Sequence, residues 1–197
     1  MDCEEYRRRR MEFLETKRRE EAEHREEVAR LEKAAEQGDA DAMVQLGLAY
    51  NHYVRYSGIP PDNKTAAYWF MKAAYLGHLE GMFHTGLVYS HGLFGYGEPT
   101  ARQGLYWLKR AAKLGHVEAM YEIGQLYANC PYIRGNTRNK RKAIKWYEKA
   151  ARRGKRLAMV SLYHLYDRVK PNKRKAAYWR EQAEKTPPGE FDIVISD

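Results

Sequence analysis

The side chains of this sequence that could do chemistry are few and scattered. His84 and His91 are seven residues apart and could share one face of a helix, but two histidines without a third ligand rarely hold a metal tightly. Cys130 stands beside Pro131, with no obvious base to activate its thiol as a nucleophile. No glycine-rich phosphate loop follows a strand, and the patterns G-x-S-x-G, H-E-x-x-H and C-x-x-C are absent. We therefore predict no catalytic residue, no metal site and no cofactor.

Composition indicates a helical protein of one extended domain or two small ones. The 197 residues are 44% hydrophobic and 31% charged, and β-branched runs are few, which favours helix over sheet. Cys3 and Cys130 are far apart in sequence and do not support a disulfide framework. The first ten residues are basic but lack the apolar run of a signal peptide, and no run approaches the 18 apolar residues of a membrane span. A cytoplasmic location is predicted, with a nuclear location or delivery into a host left open.

A repeat of about 38 residues organises the chain. The segments KAAEQG, KAAYLG, RAAKLG and KAARRG end at glycines that are 39, 38 and 39 residues apart. A methionine, a tyrosine and a tryptophan follow each glycine in nearly the same register. These columns are Gly38, Gly77, Gly115 and Gly154; Met43, Met82, Met120 and Met159; Tyr50, Tyr89, Tyr127 and Tyr166; and Trp69, Trp107, Trp146 and Trp179. Each unit predicts two antiparallel helices, the second of which carries the tryptophan and ends at the next glycine.

The recurring pattern A-M-x-x-L-G-x-x-Y, then A-x-x-W-[YFL]-x-[KR]-A-A-x-x-G, resembles the Sel1-like repeat, a relative of the tetratricopeptide repeat. The resemblance covers residues 31–184 and implies an all-α fold, a right-handed superhelical solenoid of antiparallel helix pairs. About four repeats are predicted, at 39–77, 78–115, 116–154 and 155–184. A charged helical extension (1–30) precedes them, and a flexible acidic-hydrophobic tail (185–197) follows.

Individual positions predict the joints of the repeat. A glycine after the last helical turn suits a left-handed C-cap, as expected for the four glycines that end the segments. The residues that follow them stand at N-cap positions: Asp39, His78, His116 and Lys155. Gly47, Gly86 and Gly124 are predicted to permit close helix contact. Gly81 occupies a column of small residues and is predicted to need only a small side chain there; the column also holds Ala42, Ala119 and Ala158.

One stripe of the first helix varies from repeat to repeat, whereas the packing columns barely change. Steps of 4, 3 and 4 residues place its members on one helix face. In related superhelices the first helices line the concave side, so the stripe is predicted to bind a peptide or protein in a groove; the alternative is solvated surface or inter-repeat filler. Its predicted members are Asp41, Gln45, Leu48, His52, Glu80, His84, Leu87, His91, Glu118, Glu122, Gln125, Asn129, Ser161 and His164.

A block of positive charge is the second candidate site. From Arg134 to Arg180 there are 17 Lys and Arg but only two acids, while the whole chain has a net charge of +9. Such density attracts polyanions: nucleic acid, acidic lipid headgroups or an acidic protein. The alternative is a basic face that binds nothing. The predicted patch consists of Arg134, Arg138, Lys140, Arg141, Lys142, Lys145, Arg152, Arg153, Lys155 and Arg156.

The two ends of the chain have their own patterns. Acids stand four residues before bases along residues 1–32, which favours an exposed helix, and its end from about Glu23 is predicted to pack as part of an incomplete leading repeat. A partner-binding arm is the alternative. At the other end FDIVISD could add a strand to a partner's sheet through Ile193, Val194 and Ile195, in the manner of a SUMO-interaction motif; the alternatives are a disordered tail or one folded onto its own repeats.

The family resemblance implies a non-enzymatic interaction module, a scaffold or adaptor that holds a peptide or another protein. Nucleic-acid binding through the basic block is the first alternative. The second is a hydrolase, because some cysteine-rich relatives have been called β-lactamases; they rely on regularly paired cysteines, which this sequence lacks. The sequence does not indicate an oligomeric state.

Overall fold

The computed structural model describes residues 3–51, 60–91, 101–129, 137–169 and 171–187. Within these ranges the regular structure is entirely helical, which confirms the predicted all-α class. The helices are α1 (Cys3–Glu36), α2 (Ala40–Tyr50), α3 (Asn63–Tyr75), α4 (Leu79–His91), α5 (Ala101–Lys113), α6 (Val117–Asn129), α7 (Thr137–Ala151), α8 (Arg156–His164), which continues into a π-helical turn (Leu165–Val169), and α9 (Lys173–Lys185). We call α2, α4, α6 and α8 the first helices of their repeats, and α3, α5, α7 and α9 the second helices.

The chain divides into two compact units. Unit 1 holds the described residues up to Val88, and unit 2 holds those from Tyr89 onward. In unit 1, α2 packs between α1 and α3. The core there is closed by Leu46 and Phe70, which are almost completely buried, together with the alanines of α3.

The first helix has 34 residues and two different halves. Its early turns are exposed and carry ion pairs between residues four apart, such as Arg9 Nη2 to Glu5 Oε1 at 2.8 Å. Its last turns pack on α2, with Val28 and Ala35 buried. An apolar stripe thus appears only where α1 meets the core, as predicted for the end of an incomplete leading repeat.

Unit 2 is a run of helices that each pack on the next in the chain. α6 contacts α5 and α7, and α8 contacts α7 and α9. The side chains of Leu108, Ile123, Tyr147 and Leu162 are fully buried between them. Alanines occupy the closest contacts, because a small side chain lets two helix backbones approach.

The predicted joints are present. Gly38, Gly77, Gly115 and Gly154 have φ between +89° and +102°, the left-handed conformation that an L side chain adopts only with strain. Of the residues that follow them, Asp39 accepts hydrogen bonds from two amides at the start of α2. His78 and His116 cap through the imidazole: Nδ1 accepts from Gly81 N at 3.2 Å and from Ala119 N at 3.1 Å, respectively. Lys155 makes no such bond.

Two glycines in the first helices each receive an aromatic ring from the second helix of the same repeat. A Cβ on Gly47 would lie 2.6 Å from Phe70 Cδ1, and one on Gly124 would lie 2.5 Å from Tyr147 Cδ1. The prediction that this column permits close helix contact is confirmed at both positions. We call each arrangement a glycine notch.

The prediction for Gly81 is wrong. A Cβ there would lie 2.7 Å from Ala73 Cβ and 2.8 Å from the backbone nitrogen of Ala74. Because backbone atoms cannot rotate aside as a side chain can, even a methyl group requires α3 and α4 to move apart. Comparison of the repeat columns missed this, since the other repeats carry alanine at the same position.

Candidate protein-interaction surface

The first helices separate buried packing positions from accessible variable positions. The methionine of every repeat is buried, with 3% to 6% of the residue exposed. The variable stripe is accessible on the same helices. Its exposed members are Asp41, Gln45, Glu80, Asn129 and His164, and its half-buried members are Leu48, His84, Leu87, Glu118, Glu122, Gln125 and Ser161. Side chains that differ between repeats are therefore those that solvent, and a partner, can reach.

In unit 1 the stripe is anchored by an aromatic stack. The His84 ring lies parallel to Phe70 in its glycine notch, with centroids 4.5 Å apart and an interplanar angle of 16°. Leu48 packs against the adjoining core. Gln45, between them in chain order, is exposed and makes no hydrogen bond to any described residue. This face combines apolar and aromatic surface with an amide available to a partner.

In unit 2 the corresponding face is a hydrogen-bonded network. The Tyr147 hydroxyl, in the second notch, donates to Gln125 Oε1 at 2.7 Å, and Asn129 donates to the same oxygen at 3.0 Å. Gln125 Nε2 in turn donates to the Tyr121 hydroxyl at 2.8 Å, and Ser161 forms a side-chain hydrogen bond with Tyr147. A network satisfied in this way holds its members in one geometry.

Burial of the ring, with the nearby Tyr121 as a further cause, raises the pKa of Tyr147 above its ordinary value of 10.0. The raised pKa keeps the phenol protonated, so that it remains the donor in its bond to Gln125. Unit 2 therefore presents a polar face whose hydrogen bonds have fixed directions.

Two acids of the predicted stripe bind the N-cap residue of the next repeat. Asp41 Oδ1 lies 2.9 Å from His78 Nε2, and Glu118 Oε2 lies 2.9 Å from Lys155 Nζ. His78 satisfies both contacts as a neutral imidazole, because Nδ1 accepts the cap bond while Nε2–H faces the carboxylate. Asp41 and Glu118 thus link successive repeats.

The sequence analysis missed these pairs and the tyrosines of the unit 2 network. In both pairs the residues are 37 apart, an acid two residues after one N-cap and a polar or basic residue at the next. That spacing is a signal that could have found the pairs. Tyr121 and Tyr147 occupy columns that hold Val44 and Phe70 in the first repeat, so an apolar role was the natural interpretation.

Most of the predicted basic patch that the structure describes lies on the surface of unit 2. Lys140, Arg141, Lys142, Lys145 and Arg152 are exposed. The other three described members make contacts within the protein. Besides the Lys155 pair, Arg153 Nη1 donates to the Gly115 carbonyl at 2.9 Å and Arg156 Nε to the Ala183 carbonyl at 3.2 Å.

Other predicted residues lie outside the described parts of the chain. These are His52, Arg134, Cys130 and the tail residues Ile193, Val194 and Ile195, and the side chains of His91 and Arg138 are also not described. Among the described residues, no group of three or more His, Cys, Asp and Glu side chains could hold a metal ion. None of the described helices is long and apolar enough to cross a membrane.

Comparison with protein families shows the class to which this chain belongs. The model for the Sel1 repeat matches residues 31–39, 40–78, 79–116, 117–155 and 156–185. The chain is therefore a member of the Sel1 repeat family, with four long repeats and a short leading fragment. Proteins of this family are generally scaffolds for protein–protein interaction. A search of curated proteins gave no match.

Solved structures with the same fold include a Sel1 repeat protein from Oxalobacter formigenes, with 27% identity and a TM-score of 0.68 over 80% of this chain and 61% of that one. A protective antigen of uropathogenic Escherichia coli has 24% identity and a TM-score of 0.69 over 80% of this chain and 33% of its own. An immunity protein from Pseudomonas aeruginosa has 26% identity and a TM-score of 0.52 over 79% of this chain and 56% of its own. This chain thus spans less than two thirds of each of these proteins. The predicted class, a solenoid of helix pairs, is confirmed.

Proposed function

We propose that this protein is a non-enzymatic interaction module that binds a peptide or protein segment through the variable faces of its first helices. The observation that carries the proposal is the match between variation and accessibility. The methionine, glycine and small-residue columns are buried, whereas the columns that differ between repeats reach the surface. Packing alone does not require different side chains at accessible positions of otherwise similar repeats.

The two faces also have the rigidity that selective binding requires. His84 is held on Phe70, and Gln125 is held by three hydrogen bonds to neighbouring side chains. Side chains fixed before binding lose less conformational entropy when a partner arrives. Gln45 of unit 1 and His164 of unit 2 are exposed beside these fixed groups, and we assign them the direct contacts.

Because the first helices differ in chemistry, the proposed partner segment has two parts. An apolar or aromatic side chain suits the Leu48 and His84 region of unit 1. Hydrogen-bonding groups suit the Gln125 and Asn129 region of unit 2, where an unpaired polar atom would otherwise be left without water. The immunity protein and the protective antigen that share this fold bear different functional names, so the fold itself leaves the partner open.

A peptide selection tests the proposal. Random 12-residue peptides displayed on phage are selected on the full chain, and the most enriched peptide is synthesised and titrated calorimetrically. We expect Gln45→Ala combined with His164→Ala to weaken binding at least tenfold, with little change in melting temperature because both side chains are exposed. Gln37→Ala combined with Lys113→Ala is the matched control, since both residues are exposed and lie off the first helices.

Equal affinity of the wild type and the Gln45/His164 variant would overturn the assignment of these faces. The same conclusion would follow if the control variant lost as much affinity as the test variant. His84 is unsuitable as the first substitution, because removing its ring exposes Phe70 and mixes a folding effect with a binding effect.

A further inference from the structure

The second helices of unit 2 carry exposed residues in matching positions that packing does not explain. Five residues before each tryptophan stands an arginine, and directly before it stands a tyrosine or a lysine. The six residues, all exposed, are Arg102 and Tyr106 in α5, Arg141 and Lys145 in α7, and Arg174 and Tyr178 in α9. Positions four apart share a helix face, and equivalent positions of stacked repeats form rows. We call this set the basic–aromatic surface.

The positive charges of this surface are not neutralised within the protein. Among the described residues, no carboxylate forms an ion pair with Arg102, Arg141, Arg174 or Lys145. Along α7 the series Arg141, Lys145 and Lys149 repeats one sign of charge at intervals of four, an arrangement that destabilises a helix. A helix that retains such repulsion in the free protein gains stability when an anionic partner binds.

The two tyrosines are held as exposed rings. Tyr106 packs edge-on against Trp107 with centroids 5.3 Å apart at 77°, and Tyr178 packs against Trp179 at 5.0 Å and 75°. They remain 57% and 52% exposed. An exposed ring fixed by its neighbour provides a flat π surface at low entropic cost, as in proteins that stack unpaired bases.

We propose that the basic–aromatic surface binds single-stranded nucleic acid, RNA or DNA, with the arginines and Lys145 on phosphates and the two tyrosines stacked on bases. The combination favours this partner over two other polyanions. A membrane surface calls for apolar side chains beside the bases, and no large apolar side chain is exposed on the described part of α7. An acidic peptide would use the charges but offers no planar bases to the tyrosine rings.

Fluorescence anisotropy on the full chain tests the proposal with fluorescein-labelled U20 and dT20 at 50 to 200 mM salt. Each phosphate contact contributes about −0.7 to the slope of log K against log salt concentration for a single strand. We expect Arg102→Ala, Arg141→Ala and Arg174→Ala together to make the slope less negative by about 2. The control removes the same charge from exposed residues of α1, with Arg7→Ala, Arg8→Ala and Lys17→Ala, and should leave the slope nearly unchanged.

A second pair of variants isolates stacking. Tyr106→Ala with Tyr178→Ala should weaken binding by about fivefold to more than a hundredfold per ring, with an unchanged salt slope. Tyr106→Phe with Tyr178→Phe keeps both rings and should bind like the wild type. Melting temperatures of all variants are compared, so that any variant with a folding defect is replaced by its single substitutions.

The outcomes separate the candidate partners. Binding to U20 or dT20 that depends on both arginines and tyrosines supports the proposal. Absence of binding at 50 mM salt overturns it, and so does an equal loss in the α1 control. Tighter binding to vesicles containing 30% phosphatidylserine, or to poly-glutamate, would assign the surface to a membrane or an acidic protein instead. The peptide-binding variants Gln45→Ala and His164→Ala should not affect any of these measurements.

Discussion

The glycine notches of the two units share a backbone arrangement and differ in chemistry. In unit 1, Phe70 lies against Gly47 and stacks on His84. In unit 2, Tyr147 lies against Gly124 and donates a hydrogen bond to Gln125. The glycine fixes where the ring sits, and the ring determines whether the neighbouring face is aromatic or hydrogen-bonded. A Sel1 repeat can therefore change the chemistry of an accessible face without altering its helix packing.

The largest expected effect comes from filling a notch. Gly124→Leu and Gly47→Leu should each lower the free energy of unfolding by about 3 kcal/mol or more, because overpacking a closed core forces side chains and backbone apart. Urea denaturation of each variant provides the measurement. Combining Gly124→Leu with Tyr147→Ala frees space and should cost less than the sum of the single changes. A near-neutral effect of either leucine would show that the ring is free to move and that the notch does not fix it.

Removing the hydroxyl group from the second notch should have an intermediate effect. Tyr147→Phe retains the ring on Gly124 but leaves Gln125 without its donor, so we expect a loss of about 1–2 kcal/mol. Phe70 already lacks a hydroxyl and serves as the natural comparison in unit 1. Equal stability of Tyr147→Phe and the wild type would show that the polar network of unit 2 contributes nothing to folding.

Alkaline pH should sharpen the same difference. The folded state holds the pKa of Tyr147 above 10, so the neutral phenol contributes stability that is fully present below pH 10. As the pH rises above 10, the unfolded chain ionises at this site more readily than the folded protein, and stability falls. The wild type should therefore lose stability more steeply between pH 10 and 12 than Tyr147→Phe. Parallel curves for the two proteins would contradict this assignment.

The N-caps provide the smallest expected differences. Asp39→Ala should cost about 0.5–2 kcal/mol, because two amides at the start of α2 lose their acceptor. Lys155→Ala should cost about 0–1 kcal/mol, since Lys155 accepts no cap bond and only its ion pair with the half-exposed Glu118 is lost. Thermal melts compare the two variants, and a larger loss for Lys155→Ala would reverse the expected order.

The repeat register predicted much of the fold, because the same physical constraint recurs in each copy. Four glycines at equal spacing implied four left-handed caps, and all four have positive φ. The notch column was found in the same way. Gly81 was misjudged because the sequence contains no record of how closely α3 and α4 approach, and an alanine is accommodated at that column in the other repeats.

The candidate site was less accessible to sequence reasoning, because it depends on contacts between repeats. Asp41 and Glu118 appeared as free members of a variable stripe, but they bind His78 and Lys155 in the following repeats. The network around Gln125 depends on a tyrosine 22 residues away. Periodicity shows which residues share a helix face, whereas the partner of each side chain depends on the packing of one repeat on the next.

Photocrosslinking tests the central claim, that the variable faces of the first helices hold the partner, most directly. Benzoylphenylalanine replaces Gln45 or His164 on these faces, and Gln37 or Lys113 as controls. Each protein is irradiated with the selected peptide, and mass spectrometry quantifies the adduct. The account predicts adducts at positions 45 and 164 and background yield at positions 37 and 113. Adducts at the control positions with none at positions 45 and 164 would contradict it.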